Sequence, residues 1–108
     1  MHQPFKHALR DMLFYLRFRK EDEMDYRVAV MSIIVEQGGP VDVLNELLHE
    51  YSEYIIGRMG IPYRRRGVSI ISIAMDAPQN TIATLSGRIG KLRGVSVKTA
   101  YSGIISTD

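Results

Sequence analysis

Three groups of side chains in this 108-residue sequence have the types and spacing to do chemistry. Glu46, His49, Glu50 and Glu53 stand at i, i+3, i+4 and i+7, which brings carboxylates and an imidazole to one side of a helix where a divalent cation could be held. The same spacing describes the solvated face of an amphipathic helix, and the leucines interleaved with these residues favour that reading. Arg58, Arg64, Arg65 and Arg66 make a basic cluster of the kind that meets phosphate or nucleic acid. No aromatic interleaving or nucleic-acid motif accompanies it. It reads better as structural, with the acidic helix as its salt-bridge partner inside the chain or across a subunit interface. Glu36-Gln37-Gly38-Gly39-Pro40 is a glycine turn whose backbone N–H groups, at a helix start, can receive an anionic ligand. It lacks the Gly-Lys-Ser/Thr of a phosphate loop.

Nothing in the sequence assembles a catalytic grouping. There is no Ser/His/Asp constellation, and hydroxyls such as Thr81 and Ser86 have no evident base. The absence of cysteine removes disulfides, thiolate metal sites and cysteine nucleophiles together, and fits a reducing compartment. We therefore expect no enzyme, no catalytic residue, no metal and no cofactor. A net charge of +2 is too small to imply nucleic acid, so DNA binding by the chain itself is not expected. The longest near-continuous apolar run, Met12 to Leu16, falls far short of the roughly 20 residues a membrane span needs. The expected location is the cytoplasm, with no membrane contact.

The elements that must position these residues are legible as a duplicated strand–helix–strand. Arg27 to Glu36 is β-branched and stopped by Gln37-Gly38-Gly39-Pro40, as a strand ending in a turn. Pro40 suits the first turn of a helix. Leu44, Leu47, Leu48, Tyr51 and Ile55 then recur on one helix face, with Asp42, Glu46, Glu50 and Glu53 opposite. Ile55 to Ile61 reads as a short strand weakened by glycine, followed by Pro62 and a turn at Arg64-Arg65-Arg66-Gly67. Val68 to Met75 is the strongest strand, and Asp76-Ala77-Pro78 offers a cap and a proline start for a second helix marked by Ile82, Leu85, Ile89 and Leu92. Lys91, Arg93 and Gly94 suit its end. Ala83, Ser86, Gly87 and Gly90 make that helix rich in small residues, as close packing requires. Val95 to Tyr101 alternates as a last strand.

This pattern predicts an α+β, ferredoxin-like βαββαβ fold: an antiparallel four-stranded sheet with both helices on one face. The strands are apolar on both faces, with Ser69, Ile71, Ile73 and Met75 alternating with Val68, Ile70, Ser72 and Ala74. The face without helices therefore needs a cover. A second copy of the chain is the simplest one, giving a homodimer or homotetramer through the open sheet face, and oligomerisation is a common remedy for a small core.

Residues 1–24 do not follow the pattern and read as a leader or an N-terminal helix. Purine-rich codons available to Lys20-Glu21-Asp22, just upstream of Met24, fit a ribosome-binding sequence and a start at Met24. Residues 25–103 form the predicted domain, and 104–108 a tail.

The stretches Tyr54-Ile55-Ile56-Gly57-Arg58-Met59-Gly60-Ile61-Pro62-Tyr63-Arg64, Leu85-Ser86-Gly87-Arg88-Ile89-Gly90-Lys91-Leu92 and Gly94-Val95-Ser96-Val97-Lys98-Thr99 closely resemble a small bacterial family of iron-only hydrogenase system regulators, sometimes called transcriptional regulators. The family fold is similar to ACT domains and to the C-terminal sensor of the nickel-responsive repressor. That sensor's metal site uses several His and one Cys. Here the corresponding positions read Met59-Gly60-Ile61-Pro62-Tyr63 and Gly67, so the nickel site is missing, as is the repressor's ribbon-helix-helix. The Gln37-Gly38-Gly39-Pro40 turn resembles the ACT ligand loop. The resemblance implies a stand-alone ACT-like sensor or regulator acting through a small ligand or a protein partner, with Gly38, Gly39, Arg58, Gly60 and Arg64 near the ligand or an interface. The alternative is a ligand-free accessory module that self-associates and binds a partner protein.

Overall fold

A computed structural model describes residues 26–106, with side-chain surroundings through residue 103. The expectation for residues 1–24 lies outside the described residues. The order of elements is β1 (Tyr26–Glu36), α1 (Val41–Glu50), β2 (Ile55–Tyr63), β3 (Val68–Pro78), α2 (Gln79–Gly90) and β4 (Val95–Ser106). Short 3-10 turns at Ser52–Tyr54 and Arg64–Arg66 flank β2. The four strands form one antiparallel sheet in the order β2-β3-β1-β4. Two helices on this open antiparallel sheet make the ferredoxin-like α+β fold that the sequence predicts.

The two-residue period of the strands decides which side chains are buried. Ala29, Met31, Ile33 and Val35 of β1 face the helices, as do Ile71, Ile73, Met75 and Ala77 of β3, and all are buried. Leu44, Leu47 and Leu48 of α1 and Ile82, Leu85 and Ile89 of α2 close the core above them. Each large apolar side chain so buried contributes about 1.5–3 kcal/mol. Glu36 N–H donates to the Gly94 carbonyl at 2.8 Å, fastening the end of β1 to the start of β4.

Several boundaries differ from the pattern reading, each for a local reason. α1 ends at Glu50 because Tyr51 leaves the helical conformation (φ −102°, ψ 15°), and Tyr51 N–H turns back to the Leu48 carbonyl. Ile55 therefore opens β2 rather than closing the helix, although Tyr51, Tyr54 and Ile55 still pack on the core. Pro40 and Pro78 stand at the N-cap positions, one residue before the first turn. Asp76 makes no side-chain cap: it is the outward residue opposite Val28 in a β3 that continues its alternation to Pro78. β4 continues beyond Tyr101 to Ser106, pairing with Tyr26 and Arg27 past an irregularity between Arg27 and Ala29.

Candidate functional site

The sheet order puts two distant connections side by side. β1 and β2 both end at the same end of the sheet, flanking the start of β3, so the glycine turn after β1 and the arginine turn after β2 become neighbours. Between them lies a cleft of about 410 Å³, lined by Val35, Glu36, Gln37 and Gly38 from one side, Pro62, Tyr63, Arg64 and Gly67 from the other, Val68 and Ser69 at its base, and Val41 of α1.

Each turn is shaped by backbone demands. Gly38 has φ 83°, in the left-handed region, with open space where a side chain would begin. Gly39 N–H donates to the Glu36 carbonyl at 2.8 Å, and Val41 N–H donates to the Gly39 carbonyl at 2.9 Å. A side-chain carbon at Gly39 would collide with Val35 Cγ1 at 2.7 Å and the Glu36 carbonyl oxygen at 2.9 Å. Gly39 thus serves the close approach of the turn to β1. Across the cleft, Arg64–Arg66 form an exposed 3-10 turn closed by left-handed Gly67 (φ 65°).

Of the five residues singled out in sequence, Gly38 and Arg64 meet on this cleft. Gly38 also lines a second groove of about 450 Å³ with Gly39, Pro40, Arg93 and Gly94. Arg58 lies apart. On β2 it pairs with Ile73, on the helix side of the sheet, and its Nη2 donates to Asn45 Oδ1 at 2.6 Å. The pairing expected between Arg58 and a carboxylate of the acidic helix is thus replaced by an amide. Arg58 lines a groove of about 310 Å³ with Asn45, Leu48, His49, Ser52 and Ile55. Gly60 sits mid-strand opposite Ile71, and lines none of these three openings.

The acidic face of α1 instead engages the other helix. Arg88 Nη1 of α2 donates to Glu50 Oε2 at 2.8 Å and to the Tyr51 hydroxyl at 3.3 Å, and its guanidinium lies 5.8 Å from the Tyr51 ring centroid. These bonds, the one to Glu50 above all, raise the Arg88 pKa above its ordinary value. Glu53 falls outside α1, in the following 3-10 turn. Among the described residues no group of three or more His, Asp or Glu side chains gathers as metal ligands.

Sequence reasoning placed Gln37 in the candidate ligand turn without singling out its side chain, and missed Ser69 and Arg93 as lining residues. Gln37 and Ser69 carry only local signals of a turn and a strand, and Arg93 reads as a helix-end cation. Chemically, this cleft offers the Arg64 guanidinium, the Gln37 carboxamide, the Ser69 and Tyr63 hydroxyls and the Glu36 carboxylate against the apolar surfaces of Val41, Pro62 and Val68. The guanidinium can hold the anionic group of a small polar molecule, and the Glu36 carboxylate is the other charge in the lining.

Comparison with known proteins agrees with this architecture. Residues 27–99 match the TM1266-like family, described as "Iron-only hydrogenase system regulator, putative". The structure of TM1266 from Thermotoga maritima is similar over 70% of this chain and 96% of that protein, at 38% identity and a TM-score of 0.68. A formyltetrahydrofolate deformylase from Pseudomonas putida KT2440 shares the fold at 19% identity and a TM-score of 0.50, and this chain spans only 28% of its length. No functionally curated protein matches in sequence. Among the described residues no helix is long and apolar enough to cross a membrane. On the match across β1 to β4 and the likeness to TM1266, the chain belongs to the TM1266-like family of iron-only hydrogenase system regulators.

Proposed function

We propose that the chain is a cytoplasmic regulatory module of an iron-only hydrogenase system, and that it responds to a small anionic ligand held between Gly38 and Arg64 without transforming it. The observation that carries this reading is the shared cleft. A glycine turn and an arginine turn, 26 positions apart by number, face one opening at the end of the sheet. A guanidinium supplies charge-assisted hydrogen bonds, and the apolar wall excludes water from the remainder of the ligand. Direct DNA binding is not part of this reading, so an effect on transcription would pass through a partner.

Thermal unfolding with panels of amino acids, nucleotides and inorganic phosphate tests it. A ligand at about 100 times its dissociation constant adds roughly 2.7 kcal/mol to stability. A rise in melting temperature with one class, lost in Arg64→Ala, is the expected result. No shift across the panels would favour the second reading, a ligand-free accessory module. That reading draws its support from the apolar sheet face opposite the helices, where Val28, Val30, Ile34 and Ile70 are exposed.

A further inference from the structure

β2 is an edge strand, with β3 on one side only. One hydrogen bond fixes which of its backbone groups face away from the sheet. Glu36 N–H donates to Gly94 at the start of β4, so Val35, Ile33 and Met31, alternating with Glu36, turn their backbone groups toward β3. Their partners Ser69, Ile71 and Ile73 face back to β1, which leaves Val68, Ile70 and Ser72 to bond Tyr63, Ile61 and Met59. Arg58, Gly60 and Pro62 therefore face outward. Pro62 agrees independently: it has no N–H to give, and a proline on an edge strand stands where that group would face solvent. The outer edge thus presents the N–H and C=O of Arg58 and Gly60 and the C=O of Pro62.

The surroundings of that edge are apolar along one side and basic at one end. Met59, Ile61 and Tyr63 stand exposed on the open face of the sheet, beside Ser72, Ile70 and Val68. Gly60 has open space where a side chain would begin and no left-handed φ, so nothing within the chain calls for glycine there. In a strand, a glycine marks the close approach of another backbone. β2 then runs into Arg64, Arg65 and Arg66. From Tyr54 to Met75 the hairpin holds Arg58 and these three arginines, and no carboxylate. Among the described residues none of the four forms an ion pair.

We infer that the β2 edge binds an extended acidic segment of another protein, which adds a fifth strand to the sheet. Backbone bonds to Arg58, Gly60 and Pro62 hold the segment, and its alternate apolar side chains lie beside Met59 and Ile61. Its carboxylates meet the arginines at the end of β2. The β2 of a second copy does not suit this edge. Laid antiparallel about Gly60, it would set Arg58 diagonally beside Arg64 of the copy at both ends, with no carboxylate between them. Nucleic acid would meet the arginines and leave the edge amides unpaired.

Short random peptides displayed on phage and selected on the full chain supply the probe, and amide hydrogen exchange locates it. None of these readouts uses a small ligand, so this inference and the cleft reading can fail separately. The selected peptides should be rich in Asp and Glu alternating with β-branched residues. In the free chain the Arg58 and Gly60 amides should exchange fast beside slow Met59 and Ile61, and the best peptide should slow the first two at least about tenfold. Arg65→Glu combined with Arg66→Glu, neither of which lines the cleft, should weaken peptide binding at least about tenfold at low salt. Gly60→Pro deletes an outward N–H that the ladder to β3 does not use, and should weaken binding at least about fivefold. If Gly60→Pro does not fold, the arginine variant and the exchange pattern decide. Peptides without acidic enrichment, or protection at β4, the helices or the cleft turns instead, would overturn the inference. So would Arg58 and Gly60 amides already protected before peptide is added, or slowed equally by duplex DNA of random sequence.

Discussion

Gln37 lies over Gly67 across the end of the sheet, so that a side-chain carbon on Gly67 would stand 2.9 Å from Gln37 Oε1. The contact joins the turn after β1 to the turn before β3, the two walls of the cleft. Gly67 also adopts φ 65°, a conformation that costs an L-residue about 1–2 kcal/mol. The Gln37 amide ends a flexible side chain and can swing aside, so the backbone cost governs. Gly67→Ala should lose about 1–2 kcal/mol in urea unfolding, and adding Gln37→Ala should recover little of it.

The neighbouring glycines should respond differently. A carbon on Gly39 meets the Glu36 carbonyl oxygen, which is backbone and cannot move aside, whereas a carbon on Gly38 meets open space. Gly39→Ala is expected to cost about 1–3 kcal/mol from overpacking. Gly38→Asn, with a residue that tolerates the left-handed region, should cost less. Melting temperatures of the two variants check the order.

Two isoleucines three positions apart on β3 test the register. Ile73 is fully buried beneath the helices, and Ile70 is 39% exposed on the opposite face. Ile73→Ala should lose about 2–5 kcal/mol through lost burial and the cavity left behind. Ile70→Ala should leave the fold of dilute protein intact, as circular dichroism and urea titration would show.

The Arg88–Glu50 bridge spans two exposed side chains, so its contribution should be small and salt-dependent. A double-mutant cycle with Arg88→Met and Glu50→Gln should show coupling at low salt that vanishes by about 1 M, where the screening length is about 3 Å. Because the Arg88 pKa is raised, its share is complete below the unfolded-state value and lost only as pH rises through the still higher folded value. Between about pH 6 and 10 it should not vary through Arg88.

The fold was legible because its signals are local and repeated. Leu44, Leu47 and Leu48 announce one helix, Ile82, Leu85 and Ile89 the other, and the strands alternate. Where local cues compete, the reading strayed. Asp76 and Pro78 look like a helix start, yet buried Met75 and Ala77 carry β3 through them. The alternation read for the last strand stops at Tyr101, but pairing with β1 carries the strand on to Ser106. Of the site, Gly38 and Arg64 were legible singly, as a turn glycine and an arginine run. Their meeting follows from strand order, a long-range property. That order also sends Arg58 to Asn45, and it brings in Ser69, which carries no distinguishing signal of its own.

Regulation through the cleft is tested most directly in cells that carry the hydrogenase system. Hydrogenase activity would be measured in extracts lacking this chain, and again after supplying the wild type or Arg64→Ala, with the accumulation of folded protein verified. Activity should change on loss of the chain and be restored by the wild type but not by Arg64→Ala. Activity indifferent to the chain's removal would contradict the regulatory account, and full restoration by Arg64→Ala would contradict the role of the cleft.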